Sequence, residues 1–257
     1  MSVSIFIINE SRGKMNKALY CIVLLISHST WAIDFNEEGD LLLNHPYLFV
    51  SLGGNCWQAQ AMRSKVFGLR DAAFPFDWLL TFDNDKLIQC LDEHFAYFTD
   101  PSCFVRYENI HLENIRYSFK FTHDWPYQGR HINPGRHRGQ LDSIKEKYER
   151  RIARFDSIKN FKGKVFFVRC FQIDPRYQGE PGWNADKARA LYDALKRYFP
   201  DLDFELIVVS CTDSTVPEVG DICGIREYKI DPLKDKDAKF QAYSTMYADL
   251  LEEFKLL

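Results

Sequence analysis

The sequence has no C-x-x-C pair, no zinc-type spacing of Cys and His, and no H-E-x-x-H, so it offers no recognisable metal centre. It has no phosphate-binding glycine loop either. Ser51-Leu52-Gly53-Gly54-Asn55-Cys56 carries too few glycines for G-x-G-x-x-G and lacks the P-loop lysine. Internal repeats and low-complexity linkers are absent. An excess of one charge is missing too: Lys and Arg total 33 against 36 Asp and Glu, a net charge of −3, which removes any global attraction to nucleic acid or anionic membrane. The basic run from Lys145 to Arg154 is interleaved with Glu146 and Glu149 and reads as a solvated helix face. The apolar stretch Ala18 to Ile26 falls short of the roughly 20 residues of a bilayer span. The expectations are therefore no metal, no cofactor, no nucleic-acid partner and no stable membrane span in the mature chain.

What is present is a large apolar fraction. Of 257 residues, 46% are hydrophobic and 15% aromatic, enough for one sizeable domain. From Met15 the chain reads MNKALYCIVLLISHSTWA: a Lys17 n-region, a short apolar core and small residues at the −3 and −1 positions of a cleavage site after Ala32. Residues 1–32 are expected to be a signal peptide with Met15 as its start, leaving 33–257 as a single α/β domain. The expected location is secreted or periplasmic, or cytoplasmic if this segment is not a signal. Cys21 would leave with the signal, and Cys56, Cys90, Cys103, Cys170, Cys211 and Cys223 would remain. One or two disulfides would suit an oxidising compartment, though sequence does not pair them. Cys170 and Cys211 close apolar runs and read as core thiols.

The coarse pattern places strands at Tyr47 to Leu52, Ile115 to Thr122, Lys164 to Phe171, Phe204 to Ser210 and Ile225 to Ile230. Helices are expected over Cys56 to Val66, Asp85 to Phe95, Ser143 to Ile158, Asn184 to Tyr198 and Phe240 to Phe254. Trp125 to Gly139 has no periodicity and reads as a loop. Strands apolar on both faces, alternating with helices, predict a mostly parallel central sheet flanked by helices on both faces. Ligand sites in such sheets lie beyond the C-terminal ends of strands. Cys56, His123 and Arg169 each lie at or just past such an end.

The stretch FVSLGGNCWQA carries the chemistry. A strand runs into Gly53 and Gly54, Asn55 can cap a helix, and Cys56 begins it. Helix N-termini carry unpaired N–H groups and about half a positive charge, which favours a thiolate. Amide groups at Gly54 and Asn55 would hold an oxyanion, and Trp57 would shield the sulfur. This is the layout of a nucleophile elbow with Cys in place of Ser. A nucleophilic thiol needs a base and a group that orients it. His94 reads as a helix-surface residue, His111 lies in a polar stretch, and His131 and His137 sit among arginines in the long loop. His123, closing a strand before Asp124 and Trp125, is the best placed base. Asp77, among the aromatics of FPFDW, and Asp124 are the candidate orienters. Asp174, just past the KVFFVRCF strand, is a later possibility. Arg169 would hold a substrate carboxylate or oxyanion, or bridge to a buried Asp.

The ordered blocks FVSLGGNCWQAQAMR, GLRDAAFPFDWLL, FTHDW, KYERRIARF and KVFFVR resemble a largely bacterial family of uncharacterised domains described as papain-like cysteine peptidases. The resemblance covers roughly residues 47–210. It implies a catalytic Cys56 and a catalytic His123 with an acidic partner, and it leaves Asp77 and Asp124 both open. It also implies an α+β papain-like fold as the alternative to the parallel α/β sheet. Papains carry an oxyanion glutamine just before their cysteine, a position that falls in the apolar strand here. Their histidine follows by about 130 residues, roughly twice the separation in this chain.

The function expected is a cysteine-nucleophile hydrolase, most concretely a papain-like peptidase acting on a peptide or other acyl substrate. A Cys-dependent esterase or acyltransferase acting on a glycan or lipid is one alternative. A binding module on the same scaffold is another. The sequence sets no oligomeric state.

Overall fold

The computed structural model describes residues 46–54, 56–63, 72–107, 111–124, 138–170, 184–211, 223–230 and 236–253. The expected signal peptide, Asn55, Trp125, His131, His137 and Asp174 lie outside the described residues, as do the side chains of Trp57, His111 and Cys211.

In chain order the elements are β1 (Tyr47–Ser51), α1 (Cys56–Met62), α2 (Asn84–Asp92), β2 (Phe104–Tyr107), β3 (His111–Asn114), β4 (Phe119–Phe121), α3 (Arg138–Ser157), β5 (Lys164–Cys170), α4 (Ala185–Tyr198), β6 (Phe204–Cys211), β7 (Ile225–Ile230) and α5 (Lys236–Glu253). β1, β5, β6 and β7 form one sheet in that spatial order, and every neighbouring pair is parallel. All residues of β1 and β5 except the first of each are buried, as a sheet covered on both sides requires. Leu48, Val50, Val165, Phe167, Leu206 and Val208 pack one face against Leu87 of α2, Tyr148 and Phe155 of α3 and Leu191 and Leu195 of α4. Phe49, Phe166, Val168, Ile207 and Val209 pack the other against Ala61 and Met62 of α1 and Tyr243, Met246 and Tyr247 of α5. The expected parallel sheet with helices on both faces is the architecture found.

A second sheet was not anticipated. β2, β3 and β4 pair antiparallel in that order. The single strand expected from Ile115 to Thr122 is broken because the Asn114 side chain accepts hydrogen bonds from the amides of Arg116 (3.0 Å) and Tyr117 (3.1 Å), closing a turn. Only Phe119–Phe121 then remains extended. Leu80 bridges antiparallel to Lys120, so the irregular segment after Pro75 leans on this sheet. Phe76 fills the space between the layers, with the rings of Phe95, Phe98, Phe119 and Phe155 all about it.

The helix expected to reach Phe95 stops at Asp92, and His94 and Phe95 both take positive φ. His94 is therefore in an exposed turn, against the Tyr198 ring. Asp83 caps α2 by accepting from the Lys86 amide, and Asn184 caps α4 through the Lys187 amide. No disulfide links Cys56, Cys90, Cys103, Cys170 and Cys223 to one another. No described helix is long and apolar enough to cross a membrane.

Candidate active site

β1 leaves the sheet at Ser51, and Leu52 still donates to Val168 O at 2.8 Å. Gly53 and Gly54 then take φ of +80° and +106°, a region that side chains disfavour. Space excludes a side chain as well. A Cβ on Gly54 would stand 2.1 Å from the Cys170 carbonyl oxygen, and one on Gly53 would stand 2.1 Å from Thr81 Oγ1. The turn is held by the Gly53 amide on Ser51 Oγ (3.1 Å) and the Gly54 amide on Thr81 Oγ1 (2.9 Å). Gln58, buried in the first turn of α1, donates from its side chain to Gly53 O. Cys56 is the first residue of α1 and is half-buried. Its thiol thus stands at the positive end of a short helix whose approach is fixed by two obligatory glycines.

Arg169 is not at a substrate surface. It is fully buried, and its Nη1 donates to Leu52 O (2.9 Å) and Thr81 Oγ1 (2.7 Å), beneath the glycine turn. Thr81, which no motif singles out, is the shared partner. Its hydroxyl accepts from Gly54 and Arg169 and lies 3.4 Å from Leu52 O, to which it donates. The Gly54 amide, expected to hold an oxyanion, is thereby committed to Thr81.

His123 lies in the turn after β4, exposed, with its ring edge-on to Trp78 at 5.5 Å. The Arg63 guanidinium, immediately after α1, also lies 5.9 Å from the Trp78 ring. The segment Trp78–Thr81 therefore touches both halves of the candidate centre: Thr81 holds the cysteine turn, Leu80 pairs with Lys120 of β4, and Trp78 supports His123.

The carboxylates are committed locally. Asp124 keeps 1% of its side chain exposed, accepts a hydrogen bond from Tyr148 Oη at 2.6 Å and is ion-paired with Lys147 Nζ. Burial, then the Asp124 charge, pushes the Tyr148 phenol well above its usual range, so it remains a donor. Asp77 is fully buried and its Oδ2 accepts from the Phe74 amide at 2.8 Å, closing the turn that carries Trp78. A cavity of about 450 Å³ opens beside His123 and Asp124, walled by Gln140, Ser143, Ile144 and Lys147 of α3. Among the described residues no group of His, Cys, Asp and Glu has the arrangement of a metal site.

A parallel α/β sheet with a cysteine at a strand–glycine turn–helix junction, and a histidine tied to that junction through one short segment, is a scaffold suited to nucleophilic cysteine chemistry. Residues 47–214 match the family described as "Putative papain-like cysteine peptidase", and the chain belongs to that family. The match runs from β1 past β6 and contains Cys56, Asp77, Thr81, His123, Asp124 and Arg169. No curated protein and no solved structure matches the chain. Membership supports a cysteine hydrolase in general terms.

Proposed function

We propose that the protein hydrolyses a peptide or isopeptide bond with Cys56 as nucleophile and His123 as general base. The observation that carries this reading is the placement of a half-buried Cys56 at the start of α1 behind a glycine turn locked by Thr81 and Arg169. Cys56 Sγ attacks the scissile carbonyl carbon while His123 takes the thiol proton. Amides of the first turn of α1 hold the oxyanion. His123 returns the proton to the leaving amine as the C–N bond breaks, giving a thioester. A water molecule, deprotonated by His123, then cleaves the thioester and regenerates the thiol. Asp124 serves as a positioning residue: gripped by Tyr148 and Lys147, it anchors the turn on which His123 stands. Asp77 does the same for the turn bearing Trp78. The signal-like pattern from Met15 to Ala32 supports an extracytoplasmic location.

The test is the rate of iodoacetamide labelling at Cys56 against pH, read by mass spectrometry, in the wild type and His123→Ala. Rapid labelling below pH 7 that disappears in the variant is expected. Labelling that follows an ordinary thiol pKa of about 8.5, indifferent to the substitution, would overturn the proposal. Matched amide and ester substrates then decide the bond.

A further inference from the structure

The cavity beside His123 has one wall made by a single helix face. Gln140, Ser143, Ile144 and Lys147 line it, spaced i, i+3, i+4 and i+7 along α3, so they share one stripe of the helix. Gln140 joins the stripe because α3 starts at Arg138, ahead of the expected Ser143. Gly139, His123 and Asp124 complete the lining. The volume, about 450 Å³, is that of a ligand pocket rather than of a packing defect.

The charges in this wall cancel. Asp124 and Lys147 are ion-paired, with 1% and 37% of their side chains exposed. A carboxylate entering the cavity would compete with Asp124 for the ammonium and stand near a like charge. A cation would meet Lys147 in the same way. Either would lose hydration without an unmatched opposite charge to offset the loss, whereas a neutral group meets neither penalty.

Hydrogen-bonding capacity narrows the choice further. Ser143 donates its proton to Gly139 O at 2.9 Å, so towards an occupant its hydroxyl can only accept. Lys147 can only donate, and its ammonium has two protons beyond the one directed at Asp124. Positions 143 and 147 are one helical turn apart, about 5–6 Å between Cβ atoms. A group that satisfies both must offer an N–H and a carbonyl oxygen within a small span. A carboxamide does so, and the buried Ile144 of the same stripe suits the methylenes that carry it.

We propose that this cavity is a subsite for a carboxamide side chain of the substrate, with Ser143 and Lys147 as its specificity-determining residues. The subsite rests on the cysteine-hydrolase reading only for its relation to the scissile bond: His123, in the cavity lining, is the group proposed to move the proton.

The experiment is isothermal titration of the full-length Cys56→Ser protein with the N-acetyl methylamides of glutamine, glutamate, lysine and norleucine. The glutamine compound is expected to bind about tenfold more tightly than norleucine and more tightly than either charged compound. Its affinity should be indifferent to NaCl, since no net charge is recognised. Ser143→Ala and Lys147→Met should each abolish most of the preference for glutamine over norleucine. Ser143 is exposed, so its variant keeps the test decisive if Lys147→Met, which also releases Asp124, fails to fold. Equal affinity for the four compounds, binding to none of them, tighter binding of a charged compound, or a glutamine preference that survives Ser143→Ala overturns the subsite. The titration involves no thiol and the alkylation of Cys56 involves no substrate, so either proposal can fail while the other stands.

Discussion

Thr81 Oγ1 lies 2.7 Å from Arg169 Nη1 and 2.9 Å from the Gly54 amide, so one hydroxyl ties the end of β5 to the turn that presents Cys56. A hydroxyl has one proton and two lone pairs. Here the lone pairs face two donors, and the proton has Leu52 O. The cysteine is thus positioned from beneath, by residues that touch no substrate.

Thr81→Val keeps the shape and removes the hydroxyl, leaving the Gly54 amide and a buried guanidinium N–H without their partner. The expected loss is about 1–3 kcal/mol, read by urea denaturation, together with slower alkylation of Cys56. Thr81→Ser should recover most of both. A valine variant as stable and as reactive as the wild type would remove Thr81 from the account.

Gly54→Ala and Gly139→Ala are expected to move stability in opposite directions. The Gly54 variant combines a φ of +106° with a Cβ 2.1 Å from the immovable Cys170 backbone oxygen, so it should unfold at markedly lower denaturant or fail to fold. At Gly139, in the first turn of α3, a Cβ meets nothing within 4 Å, and alanine should stabilise by about 0.5–1 kcal/mol. Thermal melts of both variants check the contrast.

Asp124→Asn removes the charge that Tyr148 and Lys147 converge on. Because the carboxylate is buried, the variant should lose about 1–3 kcal/mol in chemical denaturation. Its hydrolytic rate should also fall, since the turn carrying His123 loses its anchor. Asp124→Glu should restore part of the activity if the charge is what matters. A kcat that tracks neither substitution would show that the anchor is structural alone.

Glu93 gives the fold an acid-sensitive joint. Arg116 grips both of its oxygens, with Nε on Oε2 at 2.8 Å, and Gln89 and Tyr117 donate as well. The Arg116 hydrogen bond is the main cause that lowers the carboxyl to about 2 from an ordinary 4.5. A depressed carboxylate stabilises the fold above its unfolded pKa and loses that contribution as pH falls towards the folded one. Glu93→Gln should therefore be less stable than the wild type at pH 7. The gap should close between about pH 4.5 and 2, as equilibrium unfolding across that range will reveal.

Local pattern alone determined much of this protein. The two-sided apolar runs at Tyr47, Lys164 and Phe204 require a sheet covered on both faces, because a strand with no polar face cannot meet water. The glycine pair before Cys56 required a turn that side chains cannot make, and the cysteine had to begin the next helix. The ordered blocks around them carried the family. Tertiary structure alone decided the rest. The hydrogen bonds that hold the cysteine turn link residues 27, 88 and 117 positions apart, so no periodicity announces Thr81 or turns Arg169 inwards. The antiparallel sheet escaped notice because its strands are short and interrupted by turns that side chains create. The run Lys145 to Arg154 read as solvated because charge patterning reports composition along a helix, whereas burial depends on what packs against that helix, and Arg151 is only 9% exposed. The site is assembled by contacts between distant segments, and such contacts exist only once the chain has folded.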